Sequence, residues 1–204
     1  MVLLRHGETE WNLQGRLQGR ADSALTARGR EQAHAIGAWI RSIGVILIHA
    51  SPLERVKETL RITGDDMYNC SMFEEELCEL DFGCYTGRRK GQLPAKFSLQ
   101  MQRDRWNTPF PDGESLADLA RRTAAFLSKL DTRSEKALCV LAHEMVNATI
   151  IGHLLRLEPS MIAEIRQPQG VGYIVYDRRL MVHIISSCEL TDVCFVRTRH
   201  GANV

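Results

Sequence analysis

Three short apolar runs alternate with segments of helical period along this chain, and each run stops at a polar residue. Met1 to Leu4 is cut off by Arg5-His6-Gly7, Val45 to His49 gives way to Ala50-Ser51-Pro52, and Ala137 to Ala142 ends at His143. Apolar runs this short, bounded this sharply, read as strands buried on both faces. Between them, Thr26 is placed to cap a helix through Ala33, Ile36 and Ile40, with Gly44 as its stop. Ser51 and Pro52 are placed as N-cap and first turn of a helix that carries Arg55 and ends near Gly64. Further helices are expected around Pro94 to Arg105, from a Ser115 cap with Leu116, Leu119, Ala120, Thr123, Leu127 and Leu130 on one stripe, and through Ile150, Ile151, Leu154 and Leu155. Gly172 to Tyr176, Met181 to Ser186 and Asp192 to Val196 read as C-terminal strands joined by short turns. This alternation predicts an α/β fold, a three-layer α/β/α sandwich with a mostly parallel central sheet. The whole length, 1–204, reads as one domain, with a loop-rich, lid-like insertion at about 80–114 where Gly and Pro cluster.

In open α/β sheets, ligands bind beyond the carboxyl ends of the strands. Topology alone therefore brings Arg5, His6, Arg55 and His143 to one sheet edge. What the set lacks is a carboxylate. Glu79, four residues ahead of Gly83, is the candidate, while its neighbours Glu74, Glu75, Glu76 and Asp81 make an ordinary acidic surface run the alternative. The chain holds 21 arginines against 5 lysines. That excess fits either a compositional bias or anion recognition, since guanidinium forks match phosphate and carboxylate oxygens. Arg16, Arg20, Arg88 and Arg89 join Arg5 and Arg55 as candidate substrate contacts.

Several classes of function are disfavoured. A net charge of +1 argues against nucleic acid as the partner. Stretches such as Val45 to Ile48 are far shorter than the roughly 20 residues that cross a bilayer, and Arg5 and Glu8 interrupt any leader-like apolar region, so a cytoplasmic protein is expected. None of the six cysteines forms a C-x-x-C pair, and small buried thiols explain them better than disulfides or zinc. His143-Glu144 invites a zinc-protease reading, but the residue four positions after His143 is Asn147, not histidine. No metal ligand set is expected. His49, His153, His183 and His200 read as structural or exposed, His34 as a helix-surface residue, and Trp11 and Trp106 as packing residues able to line the mouth of a site.

The run Arg5-His6-Gly7-Glu8-Thr9-Glu10-Trp11-Asn12 closely resembles the signature of the histidine phosphatase superfamily, the phosphoglycerate mutase-like proteins. Further matches follow in family order: Gly19, Asp22, Leu25, Thr26 and Gly29; Ser51-Pro52-Leu53 with Arg55; Glu79 with Gly83, Tyr85 and Gly87; Gly113-Glu114-Ser115; and Ala142-His143. The resemblance covers nearly the whole chain. It implies that His6 is a nucleophile forming a phosphohistidine and that Arg5, Arg55 and His143 hold the phosphoryl oxygens. It implies Glu79 as proton donor and then base. It also implies phosphate or substrate contacts from Gly7, Asn12, Gln18 and Gly19, and no cofactor. The expected activity is hydrolysis of a small phosphorylated metabolite. The alternatives are a cofactor-dependent phosphoglycerate mutase, which the short middle segment disfavours, and a non-catalytic phosphate-binding or scaffold module. The resemblance leaves a homodimer open. Glu144 departs from the family pattern, which most often has Gly after the second histidine. Pointing inward it would oppose phosphate; pointing outward it would be harmless.

Overall fold

The computed structural model describes residues 1–45, 47–130, 138–185 and 191–195. Its centre is one sheet of seven strands: β1 (Val2–Arg5), β2 (Leu47–Ala50), β3 (Ser71–Phe73), β4 (Leu138–Ala142), β5 (Val171–Tyr176), β6 (Arg179–Ile184) and β7 (Thr191–Phe195), in spatial order β3-β2-β4-β1-β5-β6-β7. The four strands from β3 to β1 are parallel, and the three C-terminal strands add antiparallel to them in turn.

Alternation along the central strands supplies both faces. Leu3 and Val140 turn to one side, where they meet Leu119 and Phe126 of α6 (Leu116–Lys129), Val146 and Ile150 of α7 (Glu144–Leu155), and Ala163 of α8 (Pro159–Glu164). Val2, Leu4, Cys139 and Leu141 turn to the other. There they meet Ile36 and Ile40 of α2 (Ala27–Ser42), Val56 and Leu60 of α3 (Glu54–Thr63), and Met67 of α4 (Asp65–Asn69). The sandwich is therefore the one expected. Thr26 caps α2 through the Gly29 N–H, and Ser115 and Asp118 form a reciprocal capping box on α6.

Two departures have physical causes. The helix expected from Ser51 begins at Glu54 instead, and no residue of its own chain segment caps it. Asp22 does so from a distant loop, accepting from the N–H groups of Glu54 (2.9 Å) and Arg55 (3.2 Å). Strand β3 is three residues long and polar-flanked, and the helices α1 (Glu10–Leu13), α4 and α8 are four to six residues, too short to show a period. The stretch at 80–114 carries the expected helix, α5 (Ala95–Arg103), and its rings Phe82, Tyr85, Phe97 and Phe110 pack edge to face or tilted at centroid distances of 4.8 to 6.3 Å. Cys78 and Cys139 are buried as expected, Cys70 is half-buried and Cys84 is exposed. The expected strand ends at Ala137, Ser186 and Val196, the side chains of Cys188 and Cys194, and His200 lie outside the described residues. Among the described residues no helix is long and apolar enough to cross a membrane.

Candidate active site

Adjacent strands β2, β4 and β1 end side by side, so the residues that follow them share one edge of the sheet. The His6 N–H donates to Ala142 O at 3.2 Å and the Ser51 N–H to Leu141 O at 3.1 Å, which fixes both loops to the end of β4. Beyond that edge lies a cavity of about 360 Å³ lined by Arg5, His6, Asn12, Gln18, Gly19, Arg55 and Glu79 among others.

The backbone after β1 leaves no room for a side chain. A Cβ on Gly7 would lie 2.3 Å from Gly29 O, so any other residue would push His6 off its position. Gly7 itself faces away from the cavity, and its N–H donates to Thr59 Oγ1 at 3.1 Å. Thr59 in turn donates to Arg55 O at 2.7 Å, coupling the His6 loop to α3.

His6 is 3% exposed. Its Nδ1 lies 2.7 Å from Gly7 O, a carbonyl that can only accept, so the proton sits on Nδ1 and the lone pair on Nε2. Arg55 Nε donates to that Nε2 at 3.3 Å. Burial, then the charges of Arg55 and Arg5, hold the imidazole well below its usual pKa, leaving it neutral at pH 7.

Arg55 is 1% exposed and all five of its N–H donors are directed. Besides His6, they reach Ala21 O (2.8 Å), Asp22 Oδ1 (2.7 Å), Gly19 O (2.8 Å) and His143 Nδ1 (3.2 Å). Because Arg55 can only donate, His143 Nδ1 accepts, and its proton lies on Nε2, directed to Ser51 Oγ at 2.8 Å. His143 sits edge to face with His6 at 5.2 Å but does not line the cavity. In this arrangement its Nδ1 orients Arg55 and its Nε2–H is directed at Ser51. Burial and the Arg55 charge hold its pKa well below the usual value too.

Arg5 NH1 donates to Gln167 O at 2.6 Å and to Glu144 Oε2 at 2.8 Å, while its Nε is buried without a partner. Glu144 thus points inward, the first of the two orientations considered. Glu79 is buried, with Oε1 accepting from the Leu80 N–H at 2.9 Å. Burial raises its pKa against the opposing pull of that N–H, Arg55 and Arg5, which suits a carboxyl that must carry a proton. Asn12 Oδ1 accepts from Thr9 N (3.2 Å) and Gln169 Nε2 (3.0 Å), which leaves its NH2 as the end available to a ligand. Gln18 donates to Thr9 Oγ1.

Sequence reasoning missed several supports. Gln167 and Asn147 are fully buried amides that bond each other and the Leu3 and Leu4 carbonyls, bracing the strand that carries Arg5. Asn147 was visible as a lone amide in an apolar helix; Gln167 gave no signal. Arg122 and Glu114 clamp the acid loop: Arg122 donates to the carbonyls of Glu76 (2.7 Å) and Cys78 (2.8 Å), and Glu114 accepts from the Asp81 N–H (3.1 Å). Lys90, Arg105 and Arg166 line the cavity with Arg16, whereas Arg20 pairs with Asp81 and Glu114, and Arg88 stacks over Tyr85. Trp11 and Trp106 do not line it. Among the described residues no group of three or more His, Cys, Asp or Glu is placed to hold a metal.

The two buried histidines set a pH dependence of stability. Their folded pKa values lie below the unfolded value near 6.5, so the unfolded chain binds protons that the fold refuses. Stability from them is complete above about pH 6.5 and falls as pH drops toward the folded values. Glu79, shifted upward from 4.5, acts in the opposite sense, losing its contribution as pH rises through its folded pKa. The fall in melting temperature that the histidines cause between pH 7 and pH 5 is opposed in sign by Glu79, and His143→Asn makes the slope of melting temperature against pH smaller over that window. A slope equal to wild type in that variant would contradict the assignment.

Fold and site together define an α/β protein of the phosphate-handling kind in which a histidine at the end of the first strand sits between two arginines. The chain belongs to the histidine phosphatase superfamily (branch 1), whose family model matches residues 1–179. It is 33% identical over 161 residues to the Salmonella arizonae "Probable phosphoglycerate mutase GpmB", covering 77% of this chain and 75% of that one. Among solved structures it is similar to a candidate alpha-ribazole-5'-P phosphatase of Escherichia coli K-12, with TM-score 0.79, 25% identity and coverage of 94% and 97% of the two chains. A mycobacterial glucosyl-3-phosphoglycerate phosphatase, at 24% identity and TM-score 0.76 over 89% of this chain and 90% of that one, shares the fold.

Proposed function

We propose that this chain is a phosphomonoesterase that hydrolyses a small phosphorylated metabolite in two steps through a phosphohistidine on His6. The observation that carries this is the tautomer of His6, with its proton committed to Gly7 O and its lone pair on Nε2 at the cavity. In the first step Nε2 attacks phosphorus, the ester P–O bond breaks, and Glu79 gives its proton to the departing alkoxide. As the P–N bond forms, Arg55 Nε loses its acceptor and transfers its hydrogen bond to a phosphoryl oxygen. In the second step Glu79 takes a proton from water, whose oxygen attacks phosphorus, and the P–N bond breaks to release inorganic phosphate. Arg5 and Arg55 carry the charge that spreads over the phosphoryl oxygens. Gly19 contributes its backbone to the wall, Gln18 and Asn12 their amides, and Gly7 the clearance that places His6.

A cofactor-dependent mutase is the second reading, favoured by the name of the GpmB relative. The walls beyond the phosphate seat are mixed: Leu80, Phe82, Leu93, Met101, Phe110 and Leu116 are apolar, while Arg16, Lys90, Arg105 and Arg166 offer cations to a carboxylate, so it is the short middle segment of the chain that favours the hydrolase. An assay with 3-phosphoglycerate and a bisphosphoglycerate primer separates the two. The expected result is release of inorganic phosphate without isomerisation, and efficient isomerisation would overturn the hydrolase reading. Loss of p-nitrophenyl phosphate turnover in His6→Ala would exclude a non-catalytic phosphate-binding role.

A further inference from the structure

Arg5 and Arg55 hold opposite positions in the charge balance of the free site. Arg55 is matched by Asp22, which lies behind it, caps α3 and does not line the cavity. Arg5 is matched by Glu144, and Glu144 does line the cavity. Each inner arginine therefore carries its own counter-ion before any ligand arrives. The Glu144 carboxylate stands on the ligand side, 2.8 Å from the guanidinium that a phosphate must share.

Its position is fixed. His143 occupies the N-cap of α7 and Glu144 is the first helical residue, where the helix end favours a negative charge. The pair is little exposed, at 12% for the Arg5 side chain and 18% for Glu144, so water screens it weakly. An incoming phosphate dianion meets a resident carboxylate on the same cation; Arg105, which also lines the cavity, lies within electrostatic reach of Glu144 and offsets it in part. NH1 is already spent on Glu144 and on the Gln167 carbonyl.

We propose that Glu144 is a specificity-determining residue that loosens the hold of the site on phosphate, so that the inorganic phosphate left by turnover is held weakly. This inference rests on reading His6, Arg5 and Arg55 as the phosphate seat. A purely structural role makes the opposite prediction. If Glu144 served only to orient Arg5, removing it would free the guanidinium and weaken phosphate binding.

The experiment is calorimetric titration of the full-length protein with inorganic phosphate at pH 7.5, for wild type, Glu144→Gln and Glu144→Asp. Glutamine keeps an oxygen that accepts from Arg5 and removes the charge; aspartate keeps the charge. The proposal expects phosphate to bind at least about tenfold more tightly to Glu144→Gln, with melting temperature near wild type, and Glu144→Asp to bind within a few-fold of wild type. In turnover of p-nitrophenyl phosphate, KM of Glu144→Gln falls and kcat does not rise. Unchanged or weaker phosphate binding in Glu144→Gln overturns the proposal, as does equal tightening in Glu144→Asp. The titration needs no turnover. A wild type that hydrolysed nothing would thus overturn the hydrolase reading while leaving the role of Glu144 decided by the binding constants.

Discussion

His6→Ala lowers kcat on p-nitrophenyl phosphate by about 10⁴-fold or more, leaving the melting temperature near wild type. The size follows from the absence of a substitute. The other histidine at the site, His143, has both ring nitrogens engaged, one accepting from Arg55 and one donating to Ser51, and it does not line the cavity. Burial raises the pKa of Glu79, which favours its protonated form, and a protonated carboxyl is a poor nucleophile. The imidazole lost is neutral, so the charge of Arg5 and Arg55 is undisturbed and the variant still binds inorganic phosphate by titration. Retained binding with lost turnover separates loss of the nucleophile from collapse of the seat. Turnover equal to wild type would remove His6 from the mechanism.

Glu79→Gln divides the two chemical steps. On an alkyl phosphate the leaving alkoxide needs a proton, and kcat falls by about 10² to 10⁴. On p-nitrophenyl phosphate the leaving group departs unaided, so the first step survives. The second step lacks its base, and nitrophenol appears as a burst of about one equivalent followed by slow turnover. The wild-type profile of kcat/KM for the alkyl ester falls as pH rises through the raised pKa of Glu79, because only the protonated carboxyl can donate. Glu79→Gln abolishes that limb. Equal losses on both esters with no burst would contradict the dual role.

The outline of this site is legible in the chain because its main groups sit at points that local rules fix. Arg5, His6 and His143 end apolar runs, and a strand end in an α/β sheet is where a ligand lies. Arg55 is readable from its place in the first turn of a helix that follows a strand end. What is not legible depends on distance. Asp22 caps α3 and pairs with Arg55 across 33 positions, so Ser51, whose spacing marks it as the cap, is released to bond His143. Arg122 of α6 and Glu114 just before it clamp the Glu79 loop; Glu114 is legible only as part of the Gly113-Glu114-Ser115 match, and Arg122 looks like a surface charge in sequence. Glu144 shows the limit most clearly. Its departure from the family pattern is plain in the chain, but whether it faces Arg5 or solvent depends on how α7 is set against β1. The short helices and the three-residue β3 were missed for another reason: they hold too few residues to show a period.

The proposed reaction turns on the His6 Nε2 lone pair as the nucleophile. It is tested most directly by mixing the protein with a labelled phosphomonoester, quenching in alkali within a single turnover, and mapping the label by mass spectrometry and phosphorus NMR. One phosphoryl group per chain is expected, on Nε2 of His6, chasing into inorganic phosphate and absent from His6→Ala. Label on Nδ1, on another residue, or on none during active turnover would contradict it.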